Sequence, residues 1–146
     1  MPEIMAAAVR AAADFPGLKV LALTVVTSLT DTDLAAVGLT ATVDEQVVRL
    51  AQLAGCHGVV AAPREAAALR AALGPDMLIV TPGVRLPADL TAGATTEHAR
   101  PAHPVAAVRA GATHVVIGRS LTRAADPAAV LAHLADELGG QGRPRT

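Results

Sequence analysis

The chain has 146 residues, a formal net charge of -1, one cysteine, and Phe15 as its one aromatic residue. This length fits one domain, and the near absence of aromatic and of excess basic residues argues against a nucleic-acid partner. A lone cysteine excludes an internal disulfide and a cysteine-rich metal site, and no apolar run approaches the roughly 20 residues of a membrane span, so we expect a cytoplasmic protein.

Apolar runs typical of buried strands alternate along the chain with amphipathic runs typical of helices. The predicted elements, in chain order, are a helix over 5–13, a strand over 19–26, a helix over 43–54, a strand over 58–62, a helix over 63–73, a strand over 77–81, a helix over 104–110, a strand over 114–117 and a helix over 127–138.

Several helix ends carry capping signals. Thr42 with Glu45 three residues later forms a capping box, and Asp126 followed by proline starts the last helix. We expect Gly74 to end its helix in the left-handed conformation. Asp31 and Asp33 are interpreted as capping residues rather than as groups that transfer protons.

Strands that alternate with helices predict a parallel α/β sheet with right-handed crossovers. An open four-stranded sheet and half of an eight-stranded barrel both satisfy this pattern. We expect one domain over residues 1–140 and a disordered tail over 141–146. The long aperiodic segment over 86–103 is predicted to be a lid, because loops of that length in compact domains are usually functional or disordered.

Two segments end a strand with glycine and arginine: 81–85 (Thr-Pro-Gly-Val-Arg) and 115–120 (Val-Val-Ile-Gly-Arg-Ser). Ligands bind at the C-terminal ends of parallel strands, where a glycine lets the backbone approach the ligand and an arginine offers a fork of donors for phosphate. The pattern predicts a site for a small phosphorylated molecule. The adjacent pair Cys56 and His57 is a weak metal motif, and a buried thiol beside a strand is the favoured interpretation.

Order and spacing of motifs over about 120 residues resemble the bacterial orotidine 5′-phosphate decarboxylase family. The matching segments are 23–29 (Leu-Thr-Val-Val-Thr-Ser-Leu), 33–39, 57–60 (His-Gly-Val-Val), 64–66 (Arg-Glu-Ala), 73–75, 80–85, 110–112, 116–119 (Val-Ile-Gly-Arg) and 122–127.

The resemblance implies a (β/α)₈ barrel, of which this chain looks like the C-terminal half, strands five to eight. It implies orotidine 5′-phosphate or UMP as the ligand and no cofactor or metal. By the same resemblance Thr27 borders the pyrimidine, and Arg85, Gly118 and Arg119 hold the phosphate. His98 stands in the lid where the family has a glutamine that reaches the phosphate, and an imidazole can still donate one hydrogen bond.

The family's decarboxylation uses a lysine in an Asp-x-Lys-x-x-Asp arrangement on the third strand, and the sequence has no such arrangement. Its one lysine, Lys19, is predicted at the start of a strand, on the face that such barrels use for stability. No catalytic residue is therefore assigned, and we expect this chain alone to be inactive.

Two hypotheses remain open. In one, the chain is part of a decarboxylase of pyrimidine biosynthesis that acts when a complementary N-terminal half is supplied. In the other, it is a non-catalytic phosphate-binding half-barrel, or a truncated remnant, that self-associates. A four-stranded sheet exposes two edges and an apolar face, so a homodimer is expected in the absence of another half.

Overall fold

The computed structural model describes residues 2–26, 28–86 and 102–139, with twelve elements in these ranges. These elements are α1 (Pro2–Ala12), β1 (Leu21–Leu23), α2 (Asp31–Ala36), α3 (Val43–Ala54), β2 (Gly58–Val60), a 3₁₀ turn (Pro63–Glu65), α4 (Ala66–Leu73), β3 (Leu78–Thr81), α5 (Pro104–Arg109), β4 (His114–Val115), α6 (Arg119–Thr122) and α7 (Pro127–Gly139). The predicted lid and tail lie largely outside the described residues.

The four strands form one sheet in the order β1-β2-β3-β4, and every neighbouring pair is parallel. Each strand is joined to the next through helical segments, as parallel pairing requires. The parallel α/β prediction is confirmed. The strands are shorter than predicted, with β1 covering three residues.

One face of the sheet carries the core. Ala22, Val59 and Ile79 lie side by side in register, and they are buried beneath the helices together with Leu69 of α4 and Val47 of α3. The alternate residues point to the other face, because side chains alternate along a strand. That second face is more exposed in the described part of the chain, where Leu23 is 60% and Val116 is 49% exposed.

The predicted caps of two helices are confirmed. The Thr42 hydroxyl accepts from the Glu45 backbone N–H, and the Glu45 carboxylate accepts from the Thr42 backbone N–H at 2.9 Å and from its hydroxyl. These bonds, the backbone one first, hold the pKa of Glu45 below its usual value. The Asp126 carboxylate accepts from the Ala129 N–H at 3.0 Å and caps α7.

The two short helices α2 and α6 were missed by the sequence prediction. Asp33 forms a capping box with Thr30, and the Thr30 hydroxyl and N–H keep the pKa of Asp33 below its usual value. Asp31, also interpreted as a capping residue, accepts from the N–H of Val43, the first residue of α3, at 2.7 Å. It therefore ties the start of α2 to the start of α3.

The left-handed end predicted at Gly74 is wrong. Gly74 has φ 81° and ψ 178°, so its φ is positive but its ψ is extended. The cause is Pro75, because a proline disfavours helical ψ values in the residue before it. The left-handed cap occurs at Gly55, which ends α3 with φ 57° and ψ 35°.

Candidate functional site

The two glycine-arginine segments lie on adjacent strands. Thr81 of β3 and Val115 of β4 are paired in register, and the Val116 N–H donates to the Thr81 carbonyl at 2.9 Å. Arg85 and Arg119 each follow their paired residue by four positions. Because neighbouring strands lie about 4.8 Å apart, both arginines leave the sheet at the same C-terminal edge.

The segment after β3 is held by backbone contacts. Gly83 has φ 77°, in the left-handed region that favours glycine, and it turns the chain so that Val84 is buried. Val84 forms a parallel bridge with Ala102, and the Arg85 N–H donates to the Ala102 carbonyl at 2.8 Å. The residues that flank segment 87–101 therefore meet beside Arg85, whose side chain is exposed.

The segment after β4 leaves space at its glycine. Gly118 is exposed, and a Cβ built on it meets no atom within 4 Å. Its carbonyl accepts from the Leu121 N–H at 2.9 Å and so starts α6, whose first residue is the half-buried Arg119. The Gly118 backbone is consequently accessible to a ligand at the strand end.

Helix α7 packs against residues of both segments. Val130 and Leu134 of α7 are buried with Leu86, which follows Arg85, and Ile117 packs on the same cluster just before Gly118. Leu86 directly follows Arg85, and Ile117 lies two residues before Arg119. Packing on α7 therefore fixes the chain next to each arginine. The two segments therefore share one packing cluster on α7.

Two buried polar side chains at this end of the sheet were not found from the sequence. Glu65 is buried, and its carboxylate accepts from the Ala62 N–H at 2.7 Å. Its position three residues after Ala62 matches the third position of a helix start, which is a signal that could have identified it. Thr81 is fully buried, and its hydroxyl has no hydrogen-bond partner among the described residues. No sequence signal distinguishes it from an ordinary strand threonine.

The other predicted site residues are distributed as follows. Thr27 and His98 lie outside the described residues. Lys19 is exposed and lies two positions before β1, so it is at the N-terminal end of the sheet, as predicted and opposite to Arg85 and Arg119.

Cys56 and His57 have structural partners. The Cys56 thiol donates to the Gly58 carbonyl at 3.0 Å, and His57 Nδ1 accepts from the Val20 N–H at 2.9 Å. In the ranges that the structure describes, no group of three or more His, Cys, Asp or Glu side chains could hold a metal ion, and no helix is long and apolar enough to cross a membrane.

Similarity to known proteins covers most of the chain. A model of the orotidine 5′-phosphate decarboxylase / HUMPS family matches residues 1–134. The orotidine 5′-phosphate decarboxylase of Anaeromyxobacter sp. (strain K) is 51% identical over 139 residues, which are 93% of this chain and 59% of that protein. The enzyme of the same name from Thermobifida fusca (strain YX) is 46% identical over 143 residues, 96% of this chain and 58% of the relative.

Solved structures give the same result. The crystal structure of orotidine 5′-phosphate decarboxylase from Lactobacillus acidophilus matches with a TM-score of 0.65 and 34% identity, over 82% of this chain and 49% of that one. An uncharacterised conserved protein from Geobacillus kaustophilus matches with a TM-score of 0.70 and 29% identity, over 94% and 59%. The chain therefore spans about half to three fifths of the length of these relatives, and the prediction of a partial (β/α)₈ barrel is confirmed.

Proposed function

The chain belongs to the orotidine 5′-phosphate decarboxylase / HUMPS family, and from this premise we propose that it binds the phosphate group of orotidine 5′-phosphate or UMP between Arg85 and Arg119. The observation that carries the proposal is the placement of these arginines at matching positions on two adjacent parallel strands. A planar guanidinium presents parallel N–H donors to phosphate oxygens, and two such groups at one edge suit a dianion.

Gly118 supplies the second element of the proposed site. Because the position of its missing side chain is open, a phosphate oxygen can approach the backbone there. Any side chain at 118 would occupy the space from which the ligand contacts the chain. From the resemblance we also propose that Thr27 borders the pyrimidine and that His98, in the lid, donates a hydrogen bond to the phosphate.

We propose that this chain alone does not decarboxylate its ligand. The family's reaction requires an ammonium group to protonate the product carbon and carboxylates beside it, whereas Lys19 lies at the opposite end of the sheet. In the first form of the proposal, a complementary chain supplies the aspartate-lysine strand and activity appears. In the second, the half-barrel binds phosphate without chemistry. Both forms belong in the cytoplasm, and neither uses a cofactor.

Titration with UMP tests the ligand site. Arg119→Ala and Arg85→Ala should each weaken UMP binding by roughly tenfold to a hundredfold in calorimetry, the loss of one charge-assisted contact. Arg123→Ala is the matched control, because Arg123 is exposed at the end of α6 and should leave the affinity within about twofold. Equal losses in all three variants would refute a specific site and indicate general electrostatic attraction.

Turnover separates the two forms of the proposal. Purified protein is incubated with orotidine 5′-phosphate while the orotate absorbance is followed, with and without a chain that carries the Asp-x-Lys-x-x-Asp strand. We expect no loss of absorbance for this chain alone. Activity that appears on mixing supports the decarboxylase form, and continued inactivity with UMP binding intact supports the binding form. Turnover by the chain alone would contradict the argument from Lys19.

A further inference from the structure

We propose that His103 is a positioning residue of the phosphate site: its ring fixes the place of Ala102, whose carbonyl holds the backbone of Arg85. The inference rests on the proposed function, because it concerns one of the two arginines assigned to the ligand. In this role His103 acts through the backbone and makes no contact with the ligand. Three features of the molecule support it: the position of Ala102, the contacts of the His103 ring, and the face of α7 that the ring meets.

Ala102 is the backbone partner of the segment that carries Arg85. It forms a parallel bridge with Val84, and its carbonyl accepts from the Arg85 N–H at 2.8 Å. Ala102 has a methyl group alone as its side chain, so its place depends on the residues beside it. His103 follows directly, and Pro104, the first residue of α5, is fully buried. A shift of the His103 backbone therefore reaches Arg85 after one peptide unit and one hydrogen bond.

The His103 ring is held at both of its nitrogens. Nδ1 accepts from the Val105 N–H at 3.3 Å and so caps the start of α5. Nε2 lies 3.7 Å from the Glu137 carboxylate of α7. Because Nδ1 is the acceptor in this arrangement, the neutral ring carries its proton on Nε2, which faces the carboxylate. The ring thus joins the start of α5 to α7.

The same face of α7 holds the chain next to both partners of the Arg85 hydrogen bond. Leu134 is buried in one cluster with Leu86, which directly follows the arginine. Glu137, three positions after Leu134, lies on the same face of the helix and meets His103. Glu137 therefore orients the ring so that its other nitrogen faces the start of α5.

The charges around His103 make its cap sensitive to protonation. Among the described residues, Glu137 faces the ring, His133 contacts the same carboxylate at 3.6 Å, and Arg109 lines the same pocket of about 320 Å³. A protonated ring keeps its attraction to Glu137, but it can no longer accept from the Val105 N–H. A positive charge is also unfavourable at the start of a helix. Protonation thus removes the cap and leaves the contact with α7.

A double-mutant cycle with UMP tests the path from His103 to Arg85. His103→Ala alone should weaken UMP binding by roughly threefold to tenfold in calorimetry, because the arginine is held less firmly. In an Arg85→Ala background the same change should have no further effect, whereas in an Arg119→Ala background it should retain its full effect. Equal effects of His103→Ala in the two backgrounds, whatever their size, would overturn the proposal, since a general structural role acts on both arginines alike.

A conservative variant and a matched control extend this test. His103→Asn keeps an acceptor that caps a helix, so it should bind UMP within about twofold of the unsubstituted protein. His133→Ala removes the other imidazole beside Glu137 but touches no residue next to Arg85, and it should also leave the affinity unchanged. Urea denaturation confirms that each variant is folded. A loss in His133→Ala as large as that in His103→Ala, or no recovery in His103→Asn, would contradict the proposal.

The dependence on pH is a readout that a purely structural role would not change. UMP affinity is measured at about pH 8 and about pH 6, a range in which imidazoles gain a proton. The phosphate of UMP also gains a proton there, but it does so equally with both proteins. We expect the affinity of the unsubstituted protein to fall roughly threefold more than that of His103→Asn, which caps α5 at either pH. Identical pH profiles of the two proteins would overturn the proposal.

The failure of this inference is distinguishable from failure of the proposed function. If Arg85→Ala weakens UMP binding and His103→Ala does not, the inference is wrong and the phosphate site remains. If Arg85→Ala leaves UMP binding unchanged, the proposed phosphate site is wrong, and His103 has no arginine to position.

Discussion

The two ends of the sheet use their polar groups differently. At the N-terminal end, side chains satisfy the backbone groups that precede the strands, and Arg70 alone donates to the carbonyls of Gly74, Pro75, Met77 and Gly111. At the C-terminal end, Arg85 is exposed, the Gly118 surroundings are open, and the buried Thr81 hydroxyl has no partner in the described ranges. The N-terminal end is tightly hydrogen-bonded, whereas the C-terminal end has available donors and open space, and there we propose that the ligand binds.

Arg70 should produce the largest loss of stability. Arg70→Met keeps the apolar stem of the side chain but removes five hydrogen bonds to four carbonyls that precede β3 and β4. We expect the free energy of unfolding in urea to fall by about 3 to 5 kcal/mol, because partly buried acceptors lose charged donors. UMP affinity of the remaining folded protein should not change.

Arg64→Met is the matched control. Arg64 contacts Asp44 at 3.2 Å, and both side chains are about half exposed, so this pair should contribute less than about 1 kcal/mol. If both variants lose the same free energy, the stability of the N-terminal end does not depend on the bonds of Arg70.

Two glycines extend the comparison. A Cβ on Gly58, at the start of β2, would lie 2.5 Å from the Leu78 Cβ and 2.6 Å from its carbonyl oxygen, whereas a Cβ on Gly118 meets nothing within 4 Å. Gly58→Ala should therefore cost about 2 to 3 kcal/mol of stability through overpacking against backbone. Gly118→Ala should leave the urea midpoint nearly unchanged and weaken UMP binding, since the methyl group occupies the proposed path of the phosphate.

A stability loss in Gly118→Ala comparable to that in Gly58→Ala would show that Gly118 is a packing residue. Unchanged UMP binding in Gly118→Ala would indicate that the phosphate does not bind at this strand end. Calorimetry and urea denaturation on the same two preparations separate these outcomes.

The order of strands and helices was predictable because periodicity and caps are local properties. The Thr42 capping box predicted the start of α3. The shared pattern of segments 81–85 and 115–120 predicted that Arg85 and Arg119 follow neighbouring strands. Helices α2 and α6 were missed because six and four residues are too short to establish a helical period.

Other features depend on contacts between distant residues. The Arg70 bonds to Gly111 span 41 positions, and the Ala102 carbonyl that receives the Arg85 N–H is 17 positions away. Neither partner has a side chain that marks it in the sequence. The unpartnered hydroxyl of Thr81 is equally invisible, because burial and hydrogen bonding follow from the packed fold.

The smallest predicted effect contrasts two threonines, one at each end. Thr81→Val replaces a fully buried hydroxyl that has no partner among the described residues with a methyl group of nearly the same shape. Because an unsatisfied buried hydroxyl is costly, the change should raise the free energy of unfolding by about 1 kcal/mol. Thr113→Val should lower it, since that hydroxyl accepts from the Ile79 N–H at 2.9 Å and donates to the Ile79 carbonyl at 3.0 Å.

Urea denaturation of the two valine variants measures this difference in sign. A clear loss of stability in Thr81→Val would mean that the hydroxyl has a partner in the folded protein, and repeating the measurement with saturating UMP would show whether the ligand uses it. In another outcome, Thr81→Val is more stable without ligand, and UMP stabilises it as much as it stabilises the unsubstituted protein. The Thr81 hydroxyl would then not bind the ligand, and the two arginines and the Gly118 backbone would be the polar groups that do. That outcome sharpens the contrast, because the ligand would then be bound by donors of the two strand ends and not by a buried hydroxyl.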